Sequence, residues 1–313
     1  MADGHGDDRY FRSAWGALFA VEASIEISRD FLSILPFEPL SKRSIHSRIC
    51  RALTEKWIGK IRNDLENRPL SDEETVTNLN NAREICRYMG NLSDEQKTTL
   101  STTLPYGTTC LVFLVTEGFL LFTQIGDHDI ITLSRDGIVS RPFPVAPIQD
   151  CTSTESLILP DAGNFFEVYY SENSADFPRM IIGATDGYGS AYKYERNWEE
   201  FPARDLLNCL KTMGIDKTRE CLPGLLKDLS KAGASGDDIS LGIIFDAEGI
   251  ENLTITKTLI PQISLPEKIE TPAIPSKSIQ GEGHHKNAQE RMSSRHRLFR
   301  HAFKRRDKLR IVR

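Results

Sequence analysis

At Tyr106 the hydrophobic residues of this chain change their period, and that change dictates the fold class. Before it, apolar side chains recur at helical spacing. Trp15, Leu18, Phe19, Val21, Ala23, Ile25, Ile27, Phe31 and Leu32 predict a long, heavily buried helix from Ser13 to about Leu35. Ile49, Leu53, Trp57 and Ile61 repeat every four residues and predict a second helix from about Ser44 to Asn67, which Pro69 cannot continue. Residues 71–99 read as further helix with polar joints. After Tyr106 the runs become short and dense. Thr108 to Val115 and Gly118 to Ile125 flank Thr116-Glu117-Gly118, the pattern of a hairpin of buried strands.

Further strands are predicted at Ile130–Leu133, with a turn at Asp136-Gly137 leading to Ile138-Val139, and at Phe165–Tyr170, Arg179–Ala184 and Ile239–Phe245. Helices at about Ala203 to Met213 and Lys217 to Ala232 separate the last two. Strand clusters joined by hairpin turns and set between helical blocks predict antiparallel sheets covered by helices. With 313 residues and 39% hydrophobic content, the chain can bury one large α+β core. Beyond Asp246 the pattern fades through Pro261, Pro266, Pro272 and Pro275, so the expected division is a domain over 1–246, a disordered linker over 247–280 and a tail over 281–313.

Net charge is –5, but residues 281–313 alone hold 11 Lys and Arg against 3 Asp and Glu. The body is acidic and the tail basic, with the pattern of an amphipathic helix from Gln289 onward. Contact of that tail with nucleic acid or an anionic surface is the lesser reading; a tail solvated or folded back on the acidic body is preferred. No apolar run reaches the roughly 18 residues of a membrane span, and the acidic first ten residues lack a signal peptide's features, so the protein reads as cytoplasmic. Six scattered cysteines without a Cys-x-x-Cys pair read as reduced, structural thiols.

Three acidic residues stand at the ends of predicted strands or turns: Asp3 in Asp3-Gly4-His5-Gly6, Asp186 in Thr185-Asp186-Gly187, and Asp237 in Gly236-Asp237-Asp238. Gathered together they suit a hard divalent cation such as Mg²⁺ or Mn²⁺, which prefers oxygen donors and is often held by only a few carboxylates. Singly each is weak, since Asp-Gly is also the commonest turn dipeptide. His128, beside Asp127, reads as a solvent-exposed loop histidine.

Taken in order, Asp3-Gly4-His5-Gly6 before an apolar helix, Gly107-Thr108-Thr109 opening a hairpin, Gly126-Asp127 after its second strand, Thr185-Asp186-Gly187, and Gly236-Asp237-Asp238 before a terminal strand resemble the type 2C metal-dependent serine/threonine protein phosphatases. The likeness is to bacterial members and spans roughly residues 1–246. It implies an αββα sandwich of two antiparallel sheets flanked by helices. It also implies hydrolysis of phosphoserine or phosphothreonine on protein substrates by a water activated between two metal ions, Mg²⁺ or Mn²⁺. Asp3 would bridge the metals, the Gly4 carbonyl would ligate the second, and Asp186 and Asp237 would complete the first. Asp127 would serve a further, weaker metal position, although this chain continues His128-Asp129 where the family usually has Ser and Arg. Asp238 stands where many relatives have Asn and is assigned supporting hydrogen bonds.

His5 matches the family's proposed acid for the leaving seryl or threonyl oxygen, a task suited to a pKa near neutrality. The resemblance also implies strands ahead of the first turn, bearing an arginine and an acidic residue, that this sequence does not contain. The expectation is an internal methionine taken as a start or a truncated gene, with Arg9 and Arg12 as conjectural substitutes and apolar surface left uncovered. The rival expectation is a non-catalytic phosphatase-like protein that binds a phosphoprotein or regulates a partner.

Overall fold

The computed structural model describes residues 1–34, 41–143, 155–173, 177–192, 200–232 and 237–259. Its strands are β1 (Cys110–Val115), β2 (Leu120–Ile125), β3 (Asp129–Leu133), β4 (Ile138–Ser140), β5 (Glu167–Ser171), β6 (Met180–Ala184), β7 (Leu241–Phe245) and β8 (Lys257–Leu259). They form two sheets, one ordered β1-β2-β5 and the other β7-β6-β3-β4-β8. The helices are α1 (Ser13–Ile34), α2 (Lys42–Ile45), α3 (Ala52–Asn67), α4 (Asp72–Met89), α5 (Asp94–Thr103), α6 (Asp186–Ser190) and α7 (Phe201–Ala232).

Alternation along the strands decides what each sheet face meets. Leu111, Leu120 and Phe122 of the first sheet pack with Ile130 and Ile181 of the second, forming the layer between the sheets. Cys110, Val112 and Ile125 point the other way, into a cluster with Leu53, Trp57 and Ile61 of α3, Ile85 of α4 and Leu100 of α5. On the far side, Ile131, Leu133, Met180 and Ile182 meet Leu206, Leu207 and Leu210 of α7. The result is the expected order of helices, sheet, sheet, helices.

Local signals close the elements. Thr116 Oγ1 accepts from Gly118 N at 3.2 Å and Phe119 N at 3.0 Å, closing the β1–β2 hairpin. Ser71 with Glu74, and Ser93 with Gln96, make reciprocal capping boxes at the starts of α4 and α5. The break between the two helices expected over 203–232 is Gly214, whose positive φ of 76° kinks α7 into two segments.

Four features differ from the sequence reading. The second predicted helix is not uniform: it begins as α2, widens into a π-helical turn over His46–Arg51 and becomes α3. Not every pairing is antiparallel, since β8 lies parallel to β4. Part of the segment expected as linker is folded, with Ile250 and Leu253 buried against the second sheet; two isolated apolar residues carry too little period to be read in advance. Finally, α1 is less covered than its composition suggested. Trp15, Leu18, Ile25 and Leu32 are 39–46% exposed, and Val21, Ile25, Leu32 and Leu111–Leu114 line an open groove of about 390 Å³. The linker beyond 259, the basic tail over 281–313, Gly236 and Cys151 lie outside the described residues. The other five cysteines are free, as expected, and no described helix is long and apolar enough to cross a membrane.

Candidate active site

The first five residues lie in an extended stretch against the outer edge of β1. Met1 N donates to Leu111 O and Leu111 N to Met1 O, both at 2.8 Å, Thr109 N donates to Asp3 O at 2.9 Å, and His5 N to Gly107 O at 3.0 Å. Gly4 bridges Thr108 within this ladder. Two hydroxyls reinforce it: Thr108 Oγ1 donates to Asp3 O at 2.7 Å, and Thr109 Oγ1 accepts from Asp3 N at 3.2 Å. The edge of the hairpin therefore holds this turn in place. No contact with the Asp3 backbone uses its carboxylate.

That carboxylate sits among others. Its pKa is pushed up to about 6, first by burial and then by the negative charges of Asp237, Asp127 and Asp238. Four carboxylates from three distant parts of the chain thus share one electrostatic neighbourhood. Asp186 opens α6 after β6, and its neighbour Thr185 ties this point to the Asp237-Asp238 loop: Thr185 Oγ1 accepts from Ser240 N at 2.9 Å and donates to Asp238 O at 3.3 Å. The close approach requires glycine next door, for a Cβ on Gly187 would lie 2.6 Å from Asp238 O and 3.3 Å from Asp237 Cβ. Asp237 is itself shaped by Ser230, whose hydroxyl donates to its carbonyl at 2.7 Å.

Oxygen donors and neighbouring negative charges fit a hard divalent cation chemically. In position, however, no three Asp, Glu, His or Cys side chains among the described residues converge closely enough to form a ligand group.

His5 is buried. Its Nε2 lies 2.8 Å from Ser156 Oγ, and the Tyr10 ring meets it edge-on with centroids 4.8 Å apart. Burial pushes its pKa down to about 4, against the opposing pull of Asp127, so the ring is neutral at pH 7. This corrects the expectation of a near-neutral pKa. His128 is corrected too: it is buried, its Nε2 3.1 Å from Thr109 Oγ1, and burial lowers its pKa to about 3. Of the two conjectural arginines, Arg9 is held by both oxygens of Asp7 at 2.8 and 3.1 Å. Arg12 donates to Tyr106 Oη, Glu74 and the Arg68 carbonyl.

The sequence reading passed over Ser156 and Tyr10. Ser156 meets His5 across 151 residues and carries no local signal; Tyr10, five residues from His5, was open to recognition as an aromatic neighbour.

Two facing sheets with helices outside form the layered sandwich that the sequence led one to expect. The model of the family described as Protein phosphatase 2C matches residues 1–227, and the chain belongs to that family. Comparison with curated proteins returns no match. Among solved structures, a bacterial serine phosphatase bearing a point mutation is 16% identical, covers 59% of this chain and 75% of that one, and superposes with a TM-score of 0.33. No residue role is carried over from that structure.

Proposed function

We propose that the protein removes phosphate from phosphoserine or phosphothreonine in proteins, using Mg²⁺ or Mn²⁺ held by Asp3, Asp127, Asp186, Asp237 and the Gly4 carbonyl. The observation that carries this reading is the setting of Asp3: burial first, and then the charges of Asp237, Asp127 and Asp238, raise its pKa to about 6, and a divalent cation would favour its ionised form. Bound there, a pair of such ions would supply Lewis acidity, lowering the pKa of a water so that it attacks phosphorus.

The chain's own groups do the rest. Thr108 and Thr109 fix the Asp3 backbone so that its carboxylate faces the other acids. His5, neutral at pH 7, takes the proton that the attacking water releases and hands it to the leaving seryl or threonyl oxygen, carrying charge only in transit. Tyr10 and Ser156 exclude water from one side of its ring.

A second reading, a phosphatase-like protein that binds a phosphoprotein without hydrolysing it, is favoured by two observations: no three donor side chains converge among the described residues, and Arg9 and Arg12 are engaged by protein oxygens. Release of phosphate from a phosphothreonine peptide in Mn²⁺, abolished by EDTA and by Asp237→Asn, supports the first reading. Peptide binding without release in either metal would select the second.

A further inference from the structure

We propose that Ser156 is the positioning residue of His5, holding the imidazole in one tautomer and one orientation so that Nδ1 is the nitrogen that exchanges the proton. The inference rests on the catalytic role given to His5 above, but its geometry stands by itself.

Ser156 is almost fully buried at 1% exposure, and its Oγ lies 2.8 Å from His5 Nε2 and 3.1 Å from the Thr108 carbonyl. A hydroxyl has one proton and two lone pairs. With the hydroxyl donating to the Thr108 carbonyl, the serine oxygen accepts from His5, and the resting imidazole proton sits on Nε2. Its second lone pair faces Ile158 N at 3.5 Å. Nδ1 is left to receive and release the proton.

The ring has little freedom to take another pose. Tyr10 packs against it at an interplanar angle of 62°, and a Cβ on Gly107 would stand 2.8 Å from His5 Cδ2. The serine is tied to the same residue that anchors Asp3. Thr108 donates its own hydroxyl to Asp3 O at 2.7 Å, accepts the Ser156 hydroxyl, and accepts Leu157 N at 3.0 Å. One residue therefore sets the spacing between the acidic cluster and the imidazole.

The test compares Ser156→Ala and Ser156→Thr in Mn²⁺ on two substrates: a phosphothreonine peptide, whose alkoxide must be protonated to leave, and p-nitrophenyl phosphate, whose phenolate leaves without a proton. Proton transfer by a positioned group contributes roughly 10²–10⁴-fold. Misplacing it in Ser156→Ala should cost about tenfold or more in kcat on the peptide with KM little changed, and far less on p-nitrophenyl phosphate. Ser156→Thr should recover most of the peptide activity, and Ser156→Ala should add little to His5→Gln. Equal losses on both substrates would overturn the proposal. A second readout is independent of turnover: ¹⁵N NMR of the imidazole at pH 8 should show the Nε2–H tautomer in the wild type and a mixture in Ser156→Ala, and an unchanged tautomer would also overturn it. A wild type inert toward both substrates defeats the phosphatase reading instead, while the NMR result still decides the role of Ser156.

Discussion

Replacing Asp3 by Asn should stabilise the metal-free protein at neutral pH while removing its response to metal. The carboxyl has a pKa of about 6 in the folded chain against 3.8 as a free side chain. For a carboxyl whose pKa is raised on folding, the favourable contribution is present below pH 3.8 and lost as pH rises through about 6. At about 1.36 kcal/mol per pKa unit the ceiling is about 3 kcal/mol, and because Asp3 is only half-buried, solvent screening reduces it to about 1–2 kcal/mol. Asn keeps the shape, and the backbone bonds to Thr108 and Thr109 do not involve the lost oxygen. Thermal unfolding in EDTA at pH 8 should show Tm higher by about 3 °C in the variant, with the gap closing toward pH 4. Millimolar Mn²⁺ should reverse the order, since a ligand at a hundred times its Kd adds about 2.7 kcal/mol to the protein that binds it. A variant no more stable than wild type in EDTA at pH 8, or one whose advantage is the same at pH 4, would refute the claim that crowded carboxylates strain this turn.

Further predictions concern the residues around that turn. Gly107→Ala pushes a methyl into the rings of Tyr10 and His5 and should cost about 1–3 kcal/mol in urea unfolding together with a fall in kcat; unchanged values would show that the rings yield freely. Tyr106→Phe removes the 2.6 Å hydrogen bond to buried Asp64 and a 3.0 Å acceptor for Arg12, and should lower stability by about 1–3 kcal/mol; a neutral effect in thermal melts would count against that network. His5 and His128 have folded pKa values of about 4 and about 3 against 6.5, so their contribution is present above pH 6.5 and lost as pH falls through those values. Each should withdraw about 2 kcal/mol between pH 6.5 and 5, of which Asp3 returns part, and His128→Gln should flatten the urea midpoint over this window; an unaltered pH profile would exclude a buried neutral imidazole.

The fold was legible where one period persisted long enough. The β1–β2 hairpin, β6 and β7 could be read because apolar runs of about five residues lie between turn residues, and both halves of α7 because their apolar residues recur at helical spacing. β8 could not, being three residues with one apolar member, Leu259, at its end, and paired in parallel to β4. In the candidate site the acidic residues stood out because turn dipeptides recur in a fixed order along the chain, and the structure brings Asp3, Asp127, Asp237 and Asp238 into mutual influence. Burial of the histidines was not legible. His128 follows an aspartate in a loop, and nothing local announces that Thr109, nineteen residues earlier, closes over it. Ser156 escaped for the same reason: hydrogen-bond partners across a fold leave no periodic trace.

The strain at Asp3 and the way its backbone is held bear on each other. Negative charge crowded onto an extended stretch would ordinarily loosen it, because the charges repel one another. Here loosening would forfeit the ladder to Gly107, Thr109 and Leu111 and, through Thr108, the seat of Ser156 and the ring of His5. The cost of holding the carboxylate is therefore borne by bonds that also orient the imidazole. A cation that relieved the charge would tighten both at once, so ordering of His5 on metal addition should follow the same binding curve as the rise in Tm. Two separate curves would mean that the acidic cluster and the histidine are independent sites.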